Sequence, residues 1–300
     1  VGCLPRPEPT PTSPGLLQGE VDFEVLVNQE SGDSYITAGL ARNRSDKLYG
    51  FHIEILYYDR GERLLGIHPS MVPDLYPGME KAFYVLTAEG WPQAARVDVR
   101  VTNVFQAEES TIRPDFAFGN LSVYHHEYGT RIFGEVTNRG DMQYSIVVLG
   151  GAFEAGRVAN FNVHGIDDLR PGEARMFVMD LLGEKSAAGD ALVYVESITA
   201  VGPAQDPPRI ALVNPRLAYN GDSDRTAVLC DIVNRDTVGY RDLRLVIGLY
   251  GEGRLLQVIY RPVFESLGPG ETIAFDPLLF DGNVADREVR IQIDSLAAEE

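Results

Sequence analysis

Cysteine, lysine, histidine and tryptophan are all scarce in this 300-residue chain. The two cysteines, Cys3 and Cys230, cannot build an intradomain disulfide framework. Cys230 sits in the strand-like run Val228-Leu229-Cys230-Asp231-Ile232, which reads as a small buried thiol. Only Lys47, Lys81 and Lys185 are lysines among the 26 basic residues. Of the five histidines only His125 and His126 adjoin, and neighbours on a strand point to opposite faces, so they cannot chelate one ion. His52, His68 and His164 are isolated. There is no Gly-x-Ser-x-Gly, no His-Glu-x-x-His, no Walker loop and no Gly-x-Gly-x-x-Gly. No apolar run approaches the ~18 residues of a membrane span. The sequence therefore predicts neither an enzyme nor a bound cofactor. The net charge of −18 is shared out, with −5 in residues 16–105, −7 in 106–200 and −6 in 201–300. Such a field repels phosphate backbones and argues against nucleic acid as a partner.

What the chain does have is repetition. Pro-Gly occurs at Pro77-Gly78, Pro171-Gly172 and Pro269-Gly270, with the prolines 94 and 98 residues apart. Each proline follows Leu75, Leu169 or Leu267 by two places and precedes Phe83, Phe177 or Phe275 by six. Pro presets φ and Gly accepts φ > 0, so the pair fits the centre of a type II turn that feeds a core strand. Asn-Arg repeats with nearly the same period, at Asn43-Arg44, Asn138-Arg139 and Asn234-Arg235. An aromatic followed by Gly and Arg does so too, at Tyr58 to Arg63, Phe153 to Arg157 and Tyr250 to Arg254. Three landmarks in one order predict three homologous domains, at 16–105, 106–204 and 205–300, each large enough to own a core.

Strict alternation in Val21-Asp22-Phe23-Glu24-Val25 and Val97-Asp98-Val99-Arg100-Val101 marks half-buried strands. Seven short strands are expected in the first domain, with turn signals every 8–12 residues and no amphipathic helix. The fold class is therefore all-β: three tandem antiparallel β-sandwiches of immunoglobulin or fibronectin type III kind. The apolar strand ending in Tyr57-Tyr58-Asp59 with Gly61, and in Leu249-Tyr250 with Gly253, followed by Leu-x-Pro-Gly and an aromatic, resembles the FxLYD family. The likeness implies small immunoglobulin-like sandwiches of microbial envelope proteins, with no enzyme chemistry.

Residues 1–15 differ from the rest. Pro5, Pro7, Pro9, Pro11 and Pro14 with interspersed Thr and Ser make a semi-extended spacer rather than a core. Gly2-Cys3 ahead of such a spacer resembles the end of a bacterial lipoprotein signal, which implies a lipidated Cys3 and a membrane held through that lipid.

Weaker signals read as structure. Asn220, Asp222 and Asp224 alternate like calcium ligands but lack the distal acid, so a hairpin turn is expected there. Asn43-Arg44-Ser45 and Asn120-Leu121-Ser122 are chance sequons. Trp91, the lone Trp, is expected to pack over the end of its own domain. The functional expectation is a non-catalytic, extracytoplasmic, cell-surface or membrane-anchored protein with protein partners or self-assembly. Alternatives are a filament or layer subunit, with Leu16 to Val27 offering a strand, and an accessory subunit of a membrane complex.

Overall fold

Alternating and β-branched runs without helical periodicity can bury an apolar face only as strands, and strands are what form. The computed structural model describes residues 20–298 apart from 32–33, 88–90, 92–93, 107–113, 127–128, 155–156, 182–188, 203–205, 264–265 and 276–277. Among the described residues the chain is all-β. Repeat 1 contains β1 (Val21–Ser31), β2 (Ser34–Asn43), β3 (Tyr49–Tyr58), β4 (Leu64–Leu75), β5 (Glu80–Thr87) and β6 (Arg96–Gln106). Repeat 2 contains β7 (Phe116–His126), β8 (Gly129–Asn138), β9 (Gln143–Glu154), β10 (Arg157–Leu169), β11 (Ala174–Asp180) and β12 (Asp190–Gly202). Repeat 3 contains β13 (Ile210–Asn220), β14 (Arg225–Asn234), β15 (Tyr240–Gly251), β16 (Arg254–Val263), β17 (Thr272–Ala274), β18 (Leu278–Asp281) and β19 (Glu288–Ala298). The first repeat has six described strands rather than seven, and β4 runs unbroken through Pro69 and Pro73. It can do so because β4 is an edge strand, where a missing N–H costs no ladder bond.

The sheets are sandwich-like and antiparallel, except that β12 pairs in parallel with β5 at Val195 and Lys81 and so joins β1-β2-β5 and β12-β9-β10 into one six-stranded sheet. In repeat 1, β1-β2-β5 faces β4-β3-β6 across a core built from Phe51, Ile53, Ile55 and Tyr57 of β3 with Phe83 and Val85 of β5. Trp91 stacks on Tyr57 with ring centroids 4.4 Å apart, at the rim of this core. Gly66, opposite Tyr57, makes the space, since a Cβ there would lie 2.2 Å from the indole. In repeat 3, β13-β14-β17 with β18 faces β16-β15-β19 around Val228, Cys230, Ile232, Leu245 and Ile247. In repeat 2, β11-β8-β7 forms one sheet, and β9 lies between β10 and β12 in another. The described residues fall into two compact units. One lies within Val1–Arg113, Ala155–Val158 and Tyr194–Ile198; the other spans Pro114–Glu154, Ala159–Val193 and Thr199–Glu300.

The sequence landmarks meet in space. Gly78, Gly172 and Gly270 have φ of 70°, 73° and 72°. The next residues, Met79, Glu173 and Glu271, close each turn with an N–H bond to the carbonyl three residues back, at 3.1, 3.0 and 3.1 Å. These are type II turns. Phe83, Phe177 and Phe275 are buried two strand-steps beyond. Asn43, Asn138 and Asn234 are buried as well. Their Nδ2 groups donate to the carbonyls of Leu75, Leu169 and Leu267, the leucines before each Pro-Gly, at 2.9, 3.0 and 3.0 Å. They also donate to Lys47, Met142 and Val238, while their Oδ1 atoms accept N–H bonds from Ser45, Gly140 and Asp236. The period in the sequence is thus a period of one buried amide that ties two loops together.

A further common feature lies four residues past the proline. Lys81 Nζ and Arg175 Nη1 donate to the carbonyls of Pro73 and Asp167, next to Asp74 and Asp168 with φ of 49° and 53°. Burial pulls the Lys81 ammonium below its ordinary range. Repeat 3 has Ile273 at this place.

Candidate functional site: the joint between repeats 2 and 3

Two stretches break the alternation of a one-sided strand. Leu245-Val246-Ile247-Gly248-Leu249-Tyr250 in β15 and Met176-Phe177-Val178-Met179 in β11 are apolar on both faces. One face of each fills its own repeat's core, and the other faces meet. Phe133, Met176 and Val178 of repeat 2 pack against Val246, Tyr250, Leu255 and Val258 of repeat 3, with Tyr260 at the margin. All the residues named belong to one compact unit. Gly248 makes the fit possible: a Cβ there would lie 2.2 Å from Met176 Sδ, so the methionine occupies the space a side chain would need.

Polar groups seal the rim. β11 is an edge strand, with backbone groups free for a partner. Gln292 of β19 supplies one: its Oε1 accepts from Met176 N–H at 2.9 Å and its Nε2 donates to Ala174 carbonyl at 2.9 Å. The amide completes the ladder as a short strand would. Tyr250 Oη donates to Glu135 Oε1, and the Arg290 guanidinium lies 4.1 Å from the Tyr250 ring centroid. Burial, then Glu135, push the Tyr250 phenol well above its ordinary range, so it remains a donor.

On the other side Tyr260 Oη and His164 Nε2 are 2.7 Å apart, and the two rings stack at 5.8 Å. Burial, then Arg244, hold the His164 imidazole below its usual value. Asp294 lies 3.6 Å from Arg244, and its carboxyl is raised chiefly by burial. A cleft of about 430 Å³ beside the joint is lined by Asp167, Asp168, Arg175, Gln292 and Asp294 among others. Arg175 in it is bound to Glu173 of its own repeat at 2.6 Å, and Gln292 crosses the joint to β11.

The other residues singled out in the sequence lie elsewhere. Asn220 Oδ1 accepts from Asp222 N–H at 2.9 Å, and Asp224 Oδ1 accepts from Tyr219 Oη at 2.9 Å, so two of the three calcium-like side chains brace their own hairpin. Among the described residues no cluster of metal-ligating side chains is present. His125 approaches Thr130, and His126 stacks on Tyr124 and lies 3.9 Å from Asp180. Asn120 is exposed and donates to Glu135. Cys230 is buried, and burial pushes its thiol up to about 11. Cys3 lies outside the described residues.

Leu243 to Tyr250 reads as a strand in the sequence, a reading that did not find the joint. The signal for it was the uninterrupted apolar run of β15, which a strand facing water on one side does not tolerate. No family model matches the chain, and no curated protein matches it at a meaningful level.

Proposed function

We propose that this is a non-catalytic, extracytoplasmic protein of the cell envelope. In this reading three tandem immunoglobulin-like sandwiches form a structural or protein-interaction module, tethered to the membrane through a lipid on Cys3. The observation that supports it best is the joint of repeats 2 and 3. A buried apolar seam, closed by Gln292 on a strand edge, converts two repeats into one stiff body. Stiffness across repeats serves reach and display, and the Pro/Thr stretch ahead of repeat 1 would act as the stalk. The intact mass of the protein from its own cells tests the anchor. A mass beginning at Cys3 with acyl chains is expected; a mass retaining Val1 and Gly2 without lipid refutes it.

A second reading, a subunit of a surface filament or layer, is favoured by a separate observation. Leu64, Ile67 and Met71 of β4 are 43%, 42% and 50% exposed side by side on one face. Assembly through a donated Leu16–Val27 strand is less favoured, because from Val21 onward that segment pairs with β2 of its own repeat.

A further inference from the structure

We propose that the chain docks head to tail on a second copy of itself, the β3-β4-β6 face of repeat 1 covering the β14-β17 face of repeat 3. The inference rests on the filament reading and names its contact. It is drawn from the one repeat-to-repeat joint described above, which shows what this face does when it has a partner.

Strand register sets the equivalences. Tyr58 pairs with Leu64 and Leu56 with Ile67 in repeat 1; Tyr250 pairs with Leu255 and Gly248 with Val258 in repeat 3. Both hairpins carry a bulge at the same step, Tyr57/Tyr58 and Leu249/Tyr250. Leu64 and Ile67 therefore hold the places of Leu255 and Val258. The latter two are 3% and 1% exposed because repeat 2 covers them, while the former stand in solvent. On the receiving side Glu135 pairs with Met176 in repeat 2, and Asp231 with Ala274 in repeat 3. Asp231 thus stands where Glu135 does, Ala274 where Met176 does, and Leu229 where Phe133 does.

The substitutions match across the proposed contact. Met176 needs the hole at Gly248; in repeat 1 that hole is filled by Leu56, and in repeat 3 the knob is cut back to Ala274. Glu135 accepts from Tyr250, which carries Arg290 on its ring. Tyr58 likewise carries Arg96 on its ring, 4.3 Å from the centroid, and Asp231 is the carboxylate that would receive the phenol. Gln292 offers β11 one donor and one acceptor; at its place repeat 1 has Arg100, ion-paired with Glu54, and the pair offers both. The acid, the tyrosine, the flanking Leu and Ile and an edge-capping group recur, while Glu54 holds the place of Val246 and Asp276 follows Phe275 where Val178 follows Phe177. Such a contact is heterologous and propagates.

The test uses the full-length chain with Cys3→Ser. Ala274→Cys and Leu64→Cys variants are oxidised separately and mixed. A disulfide-linked dimer formed only in the mixture is expected, and the double variant should give a ladder. Sedimentation should show mass rising with concentration, with Ile67→Asp weakening association at least about tenfold, since burying an unpaired charge costs more than 1.4 kcal/mol. Ile67→Asp must keep the parent's unfolding midpoint, as an exposed site should. A monomer at all concentrations with no cross-link in the mixture overturns the docking. The intact mass is independent of it: an acylated Cys3 with a strictly monomeric chain keeps the envelope reading and removes only the contact.

Discussion

Leu255 and Leu64 are the same residue at the same place in two repeats, and they differ only in what lies above them. Leu255 is buried in the joint; Leu64 is exposed. Truncating a buried leucine removes its transfer free energy and leaves a cavity, about 2–5 kcal/mol in total. Leu255 lies against Gly248 and Tyr250, with β16 and β15 both pinned by the ladder, so the site has little room to collapse. Leu255→Ala should therefore cost about 3 kcal/mol. Leu64→Ala, where the apolar surface is already half in water, should cost less than about 1 kcal/mol in dilute solution. Urea unfolding of the Cys3→Ser chain, followed by far-UV circular dichroism, measures both. The m-value of Leu255→Ala should also fall, or its transition split, as repeats 2 and 3 begin to unfold separately. Equal costs for the two substitutions, or a Leu255→Ala chain with unchanged midpoint, would refute the claim that the joint is an energetic core.

Asn234→Ala should destabilise by about 3 kcal/mol, because it removes a fully buried amide and leaves Asp236 N–H and the Val238 carbonyl without that partner; chemical denaturation measures it, and a loss under about 1 kcal/mol would contradict the structural role given to the repeated asparagine. The second compact unit should lose stability as pH falls through His164's depressed value, beginning near 6.5, because the unfolded chain takes up the proton first. Asp294, whose carboxyl is raised, contributes with the opposite sign at lower pH, so His164→Phe should flatten only the upper part of a stability-against-pH curve. Cys230, buried with its thiol at about 11, should resist iodoacetamide at pH 8 in the native chain and react only after unfolding.

Much of the architecture was legible in the sequence because it rests on local stereochemistry. Pro-Gly admits few turns, and strict alternation leaves a chain only one way to hide an apolar face. Gly78, Gly172 and Gly270 carry positive φ wherever they are placed. The Asn-Arg landmark was visible as a period, but its reason was not: the amide of Asn234 reaches a carbonyl 33 residues away, and only pairing of the strands brings Leu267 to it. β4 was only partly legible: the run Leu64 to Ile67 marked its start, and its continuation through Pro69 and Pro73 to Leu75 depends on its place at a sheet edge.

What the sequence determined by itself is the all-β class, the three-fold period and the turns, because φ preferences and side-chain alternation act within a few residues. What only the tertiary structure decided is which faces are covered. Leu64 and Leu255 follow the same hairpin, carry the same side chain and pair with equivalent tyrosines. One is core and the other surface because Met176, some eighty residues from Leu255 in the chain, enters the hole at Gly248, and burial is a property of neighbours that strand pairing and packing alone supply.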